Sequence, residues 1–140
     1  MLNGDHMVLE QFDMIPSQAI ILAESGAGRC VQKIPGANAM SLVMKKDTTA
    51  DIFRYDMETE EKNPICETVK GAEDYCWTFD GKILMGDTKG KLFMYDTKNE
   101  TDPKWIQAAD YTKIIGNFYR MAFSPLGNKL AVVSYKGERP

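Results

Sequence analysis

Apolar and polar residues alternate along most of this chain, and turn-forming residues break the alternation every 8 to 12 positions. The clearest stretch is Tyr75 to Asp96, YCWTFDGKILMGDTKGKLFMYD. It predicts an inner strand over Tyr75 to Phe79, a turn at Asp80-Gly81, a second strand over Lys82 to Gly86, a loop at Asp87 to Gly90 and a third strand over Lys91 to Asp96. Asp-Gly between two apolar runs predicts a primed hairpin turn, because Gly accepts the positive φ required and Asp bonds its own backbone.

The same logic carries along the rest of the chain. Residues 1 to 11 read as a disordered or tag-derived lead, since Gly4-Asp5-His6-Met7 resembles a cloning junction, and residues 12 to 140 read as a single domain. Phe12 to Ile15 and Gln18 to Ala23, split by Pro16-Ser17, predict a pair of strands, and Glu24 to Gly28 breaks the pattern. Strands follow at Arg29 to Ile34, Ala39 to Lys45, Asp51 to Asp56 and Ile65 to Val69, with Pro35-Gly36 as the first turn. Trp105 to Ala109 fits a half-solvated outer strand, and Tyr119 to Phe123 and Lys129 to Tyr135 a last pair. Only Glu58 to Lys62 and Asp110 to Ile115 have room for a helical turn, so the fold class is all-β.

A repeat lies under this pattern. Asp51-Ile52-Phe53-Arg54-Tyr55-Asp56 aligns with Lys91-Leu92-Phe93-Met94-Tyr95-Asp96 at an offset of 40, and Cys76-Trp77-Thr78-Phe79 with Ala122-Phe123-Ser124-Pro125 at 46. A period of 40 to 46 residues with four short strands per unit is the signature of a β-propeller blade. Trp77, Phe79, Phe93, Tyr95, Phe123, Leu92 and Leu130 are the expected filling between blades.

Composition narrows the function. A net charge of −3 with interspersed lysines and acids gives no basic face for phosphate, so nucleic acid is not an expected partner. No apolar run approaches the ~18 residues of a membrane-spanning helix, so membrane insertion is not expected either. His6 is the chain's sole histidine, which removes Ser-His-Asp, Cys-His and H-E-x-x-H chemistry from these 140 residues. No phosphate-binding glycine motif is present, and Gly26-Ala27-Gly28 reads as a loop. Cys30, Cys66 and Cys76 are odd in number and far apart, the pattern of buried small hydrophobes, with one disulfide left open in an oxidising compartment. Asp47, Asp51, Asp56, Asp80, Asp87, Asp96 and Asp110 stand at turns without the D-x-D-x-D-G spacing of a calcium loop. The sequence therefore predicts no catalytic residue, no metal ligand and no cofactor.

Cys76 to Leu84 and Met121 to Val133 (MAFSPLGNKLAVV) resemble the A-W/F-S-P-D-G-K-x-L/I-A inner hairpin of TolB-like, or WD-repeat-like, bacterial β-propellers, and Gly28 to Val133 resembles the C-terminal portion of such a repeat protein. Phe79 stands where that family usually has Pro, and Leu126 where it has Asp. The resemblance implies a non-enzymatic binding or scaffold module of a bacterial envelope, periplasmic or exported, that presents one loop face to a protein, peptide or glycan. The alternative it implies is the propeller module of a hydrolase, either gating a peptidase or holding a metal. The loops of that face would be Glu24 to Gly28, Asp47 to Ala50, Lys70 to Asp74, Asp87 to Gly90 and Asp110 to Asn117, and the candidate binding residues Glu73, Asp74, Tyr75, Asp87, Lys89, Asn117, Tyr119 and Arg120. Asn99-Glu100-Thr101 has the spacing of an N-glycosylation acceptor. Strand counting gives about three blades, fewer than a ring needs. Either a longer chain supplies the remainder, or a homodimer closes a six-bladed ring.

Overall fold

A computed structural model describes residues 31–72 and 74–135, together with the backbone of the strands at 2–3, 6–14 and 17–25. Among the described residues thirteen strands occur, in chain order: β1 (Leu2–Asn3), β2 (His6–Met14), β3 (Ser17–Ser25), β4 (Gln32–Lys33), β5 (Ala39–Lys46), β6 (Thr49–Asp56), β7 (Lys62–Glu67), β8 (Tyr75–Trp77), β9 (Lys82–Gly86), β10 (Lys91–Asp96), β11 (Trp105–Asp110), β12 (Arg120–Phe123) and β13 (Leu130–Val133). All pairings are antiparallel. They form sheets in the orders β1-β2-β3, β4-β5-β6-β7, β8-β9-β10-β11 and β12-β13, and no helix occurs among the described residues. The chain divides into two compact units, residues 1–33 with 38–67 and residues 34–37 with 68–140. Strands β1 and β2 occupy positions within the lead expected over residues 1–11. Ile15, Pro16, Gly26 to Cys30 and Glu73 lie outside the described residues.

In the second unit, burial falls from β8 outward. Tyr75, Cys76 and Trp77 of β8 are buried, as are Ile83, Leu84 and Met85 of β9, whereas β11 is largely exposed, with Ile106 51% accessible. The sequence already carries this gradient. Strands covered on both faces are apolar throughout, as in Tyr-Cys-Trp and Ile-Leu-Met, and the edge strand is mixed, as in WIQAAD. Cys76, Leu84, Leu92, Phe118 and Met121 form one core cluster, against which Met94, Ala109, Ile115, Phe123, Leu130 and Val132 pack. A buried Leu such as Leu84 contributes at most about 1.5–3 kcal/mol. This cluster holds the β12–β13 hairpin beside the β8–β11 sheet, with β12 next to β8.

In the first unit, Leu42 and Tyr55 pack with Met44, Phe53 and Met57. Burial, and then the charge of Glu60, pushes the Tyr55 phenol above its ordinary value. Ser41 is fully buried, and its hydroxyl donates to the Gln32 carbonyl at 3.3 Å.

The repeat of 40 residues reappears as backbone geometry. The ladder to the outer strand slips between Ile52 and Phe53 in β6 and at the equivalent Leu92 and Phe93 in β10. Asp56 Oδ1 accepts the N–H groups of Glu58 and Thr59, and Asp96 Oδ1 accepts that of Lys98, all at 3.0 Å. These bonds to charge hold the Asp56 carboxyl below its ordinary value. A bulge sharpens local twist, so both meanders bend at the same place for the same reason.

Several expectations shift. The outer strand placed at Ile65 to Val69 begins earlier, at Lys62, because its register is set by pairing Tyr55 with Lys62 and Phe53 with Pro64. Pro64 is tolerated there because an edge strand leaves some N–H positions unpaired. Asp80-Gly81 is not a primed turn. Gly81 alone has positive φ (84°), the Gly81 N–H donates to the Thr78 carbonyl at 3.2 Å, and the Thr78 N–H donates to the Lys82 carbonyl at 2.9 Å. That is a four-residue turn closed by a left-handed glycine. Phe79, expected in the core, is 57% exposed because the strand ends at Trp77 and Phe79 enters the turn. Phe93, Phe123 and Leu130 are only partly buried. The first of the two possible helical turns lies earlier than Glu58 to Lys62: the Glu60 N–H donates to the Asp56 carbonyl at 3.0 Å, Glu60 then takes φ 61°, and β7 begins at Lys62, while Asp110 to Ile115 supplies the second turn, with the Ile115 N–H donating to the Tyr111 carbonyl at 2.9 Å.

Asp80 gives this end of the sheet a pH dependence. The Thr78 hydroxyl donates to Asp80 Oδ1 at 2.6 Å and the Lys82 ammonium lies 2.9 Å from Oδ2. Together, the hydroxyl first, they hold the carboxyl at about 2, below its ordinary 3.8. A depressed carboxyl stabilises the fold above its unfolded value and loses that contribution as pH falls through its folded one. The melting temperature of Asp80→Asn is therefore expected below wild type at pH 6 and level with it near about pH 2. Parallel melting curves at both pH values would contradict this.

Candidate functional site

Three loops of the second unit meet at one end of the β8–β11 sheet. The Phe118 N–H donates to the Asp87 carbonyl at 3.3 Å, and the Tyr111 N–H to the Gly90 carbonyl at 2.8 Å, which lays residues 111–118 over the β9–β10 loop. Gly90, at φ 96°, lies so close beneath Thr112 and Ile115 that a Cβ there would stand 2.8 Å from the Ile115 carbonyl oxygen. A Cβ on Gly71 would touch Thr88, so the loop before β8 joins the group.

The eight candidate residues separate into distinct roles. Tyr75 is fully buried and belongs to the packing, not to an accessible face. Asp74 is also buried, 3% exposed, and its Oδ2 accepts the Met121 N–H at 2.8 Å. A charged acceptor in a dry setting is worth more than a neutral one, and this bond ties the start of β8 to β12. Asp87 forms its own turn, accepting the N–H groups of Lys89 and Lys91 at 2.9 Å. Lys89 is exposed. Glu73 lies outside the described residues.

Asn117, Tyr119 and Arg120 come together with Tyr135, which the sequence did not single out. The Arg120 guanidinium carbon lies 4.3 Å from the centre of the Tyr119 ring, and its Nη1 donates to the Tyr119 carbonyl at 2.9 Å. The Tyr119 and Tyr135 rings meet edge to face at 5.6 Å. Asn117 Oδ1 accepts the Tyr135 N–H at 3.4 Å, and the Tyr119 N–H donates to the Val133 carbonyl at 2.9 Å. The result is a preset corner of two aromatic rings, a guanidinium and an amide. Beside it, on the 111–118 loop, Tyr111 is 39% and Ile114 69% exposed. Apolar residues in a loop otherwise made of Asp, Thr, Lys, Gly and Asn were the signal that would have marked them. The Asp110 carboxylate accepts the Thr112 N–H at 3.0 Å, which holds that carboxyl below its ordinary value and fixes the loop's start.

No family model, curated protein or solved structure matches the chain. The chemistry of the site therefore rests on its own residues. Among the described residues no group of three or more His, Cys, Asp or Glu stands close enough to hold a metal ion. Cys76 is buried and Cys66 partly buried. Burial first, then a nearby carboxylate (Asp51 for Cys66, Asp74 for Cys76), pushes each up to about 12. A thiol-exchange reagent at pH 8 is expected to leave both unlabelled in the native Cys30→Ser chain, while denaturant exposes two thiols. Rapid native labelling at either position would contradict the burial assigned to it.

Proposed function

We propose that the four-stranded meanders are blades of a TolB-like β-propeller, and that the chain is a non-enzymatic binding module whose loop end engages a peptide or glycan, free or on a protein. Residues 87–90 meet Gly71 and the 111–118 loop, and the Tyr119–Arg120–Tyr135 corner follows that loop directly in the chain, which carries this reading. Aromatic faces take C–H groups of sugar rings or apolar side chains, and the guanidinium takes carboxylate or carbonyl oxygens. Rings pinned by packing lose little entropy on binding, which suits recognition. The placement of β12 beside β8 supports the blade reading, since neighbouring blades of a propeller bring their inner strands side by side.

The test is an array of peptides and glycans probed with wild type, Arg120→Ala and Tyr135→Ala, with Lys98→Ala as a control at the opposite end. The Arg120 guanidinium stacks on one ring at a partly exposed site, so its loss costs under about 1 kcal/mol of stability. Binding is expected to fall at least about tenfold with either corner variant and to be unchanged in the control. Ligands captured equally by all four chains would reject the corner as the binding site.

A further inference from the structure

We propose that the Tyr119–Arg120–Tyr135 corner recognises a carboxylate, and that its ligand is a peptide presenting an acidic side chain or C-terminus next to an apolar residue. The inference deepens the corner reading above and rests on it.

The guanidinium calls for an anion. Of the two arginines among the described residues, Arg54 meets a carboxylate, Asp56 Oδ2, at 3.0 Å. Arg120 meets none: among the described residues no Asp or Glu stands within ion-pair distance of it. Yet Arg120 is half-buried and its plane is held, with the guanidinium carbon 4.3 Å from the Tyr119 ring centre and Nη1 donating to the Tyr119 carbonyl. A guanidinium carries five N–H donors in a rigid fork, so the rest of that fork remains for a ligand. Stacking occupies the face of the cation and leaves its edge, the part that matches two carboxylate oxygens.

The surroundings favour the same charge. The chain holds 20 acids, but none between Tyr111 and Tyr135. Asp110, just before that segment, accepts the Thr112 N–H, and Asp74, which reaches the hairpin, is buried with its Oδ2 on the Met121 N–H. Asn117 Oδ1 accepts the Tyr135 N–H at 3.4 Å, which turns the amide NH2, a second donor group, away from that bond. A peptide fits better than a glycan. Arg120 covers one face of Tyr119, and Tyr119 and Tyr135 stand edge to face rather than as an open platform for a sugar ring. Ile114, 69% exposed on the loop that runs into the corner, suits an apolar side chain over a hydroxylated ring.

The test titrates acetylated, amidated peptides carrying Asp or Glu beside Leu or Phe, and their Asn or Gln counterparts, against the 140-residue chain in low salt, read by fluorescence anisotropy. A free-acid and amidated pair of one neutral peptide covers the C-terminus, and oligogalacturonate is the glycan arm. The acidic peptides are expected to bind at least about tenfold tighter than their amide counterparts. Arg120→Gln should abolish that preference, Arg120→Lys, which keeps the charge without the fork, should retain only part of it, and Lys98→Ala should retain all of it. Unchanged amide protection at Met121 in the Arg120 variants reports that the hairpin is intact, and the acid-against-amide comparison in the wild-type chain needs no variant. Equal affinity for acid and amide, a preference that survives Arg120→Gln, or tighter binding of oligogalacturonate than of any peptide would each overturn the proposal. Neutral peptides that bind as well as acidic ones and are lost in Tyr135→Ala would overturn the carboxylate and leave the corner as the site. No binding that depends on either Arg120 or Tyr135 would overturn both.

Discussion

Trp77→Ala is expected to destabilise the second unit by about 3–5 kcal/mol, the range for emptying a large aromatic site that cannot collapse. Trp77 is 8% exposed, ends β8 and pairs with Ile83, itself fully buried, so no water-filled margin exists to absorb the loss. For a chain of this size each kcal/mol moves the melting temperature by about 3 °C, so thermal unfolding would shift by roughly 10–15 °C. Lys98→Ala, on the exposed turn after β10, is expected to move it by less than a degree or two. A Trp77→Ala chain that melts with wild type would mean that β8 is not an inner strand.

Gly86→Val should be comparably damaging for the opposite reason. Gly86 closes β9 opposite Leu92, and the Phe118 side chain lies directly on it: a Cβ built on Gly86 would stand 1.9 Å from Phe118 Cγ. Atoms do not approach that closely, so any side chain must eject Phe118, a buried member of the core cluster, or push the 111–118 loop away from the sheet. Overpacking costs about 1–3 kcal/mol, and losing the Phe118 contacts adds to it, so about 3 kcal/mol or more is expected. Phe118→Ala in the same chain would remove the ring but leave Phe118 Cβ, which would still stand 2.3 Å from the new Cβ, so the clash is relieved only in part and the double variant should be less unstable than the sum of the two single changes. Additive losses, measured by denaturant unfolding, would place Phe118 elsewhere.

These two residues show what the sequence could and could not convey. The strands β9 and β10 were legible to the residue, because apolar alternation and flanking Asp and Gly agree on them, and so was the repeat of 40 positions. Phe79 was misplaced because apolar character alone does not reveal where a strand yields to its turn. The hydroxyl of Thr78 and the left-handed Gly81 decide that locally. In the candidate site, the loops are legible as polar breaks, but Asp74 is buried because its carboxylate accepts the Met121 N–H of β12, and Tyr75 is buried as the first residue of the inner strand β8, paired with Met85. Tyr135 is not legible as a partner of Tyr119 because fifteen residues of hairpin separate them in sequence and only the β12–β13 register brings the rings to 5.6 Å.

The β12–β13 hairpin docks beside β8, and in the proposed reading this docking starts a further blade and builds the loop face. It is tested most directly by amide hydrogen exchange at Met121, whose N–H donates to the buried Asp74 carboxylate. Protection there is expected within about tenfold of that at Leu84 in the centre of β9. In Asp74→Ala that protection should fall while Leu84 stays slow. Rapid exchange at Met121 in the wild-type chain, with β9 still protected, would contradict the docking and remove the basis of the proposed binding face.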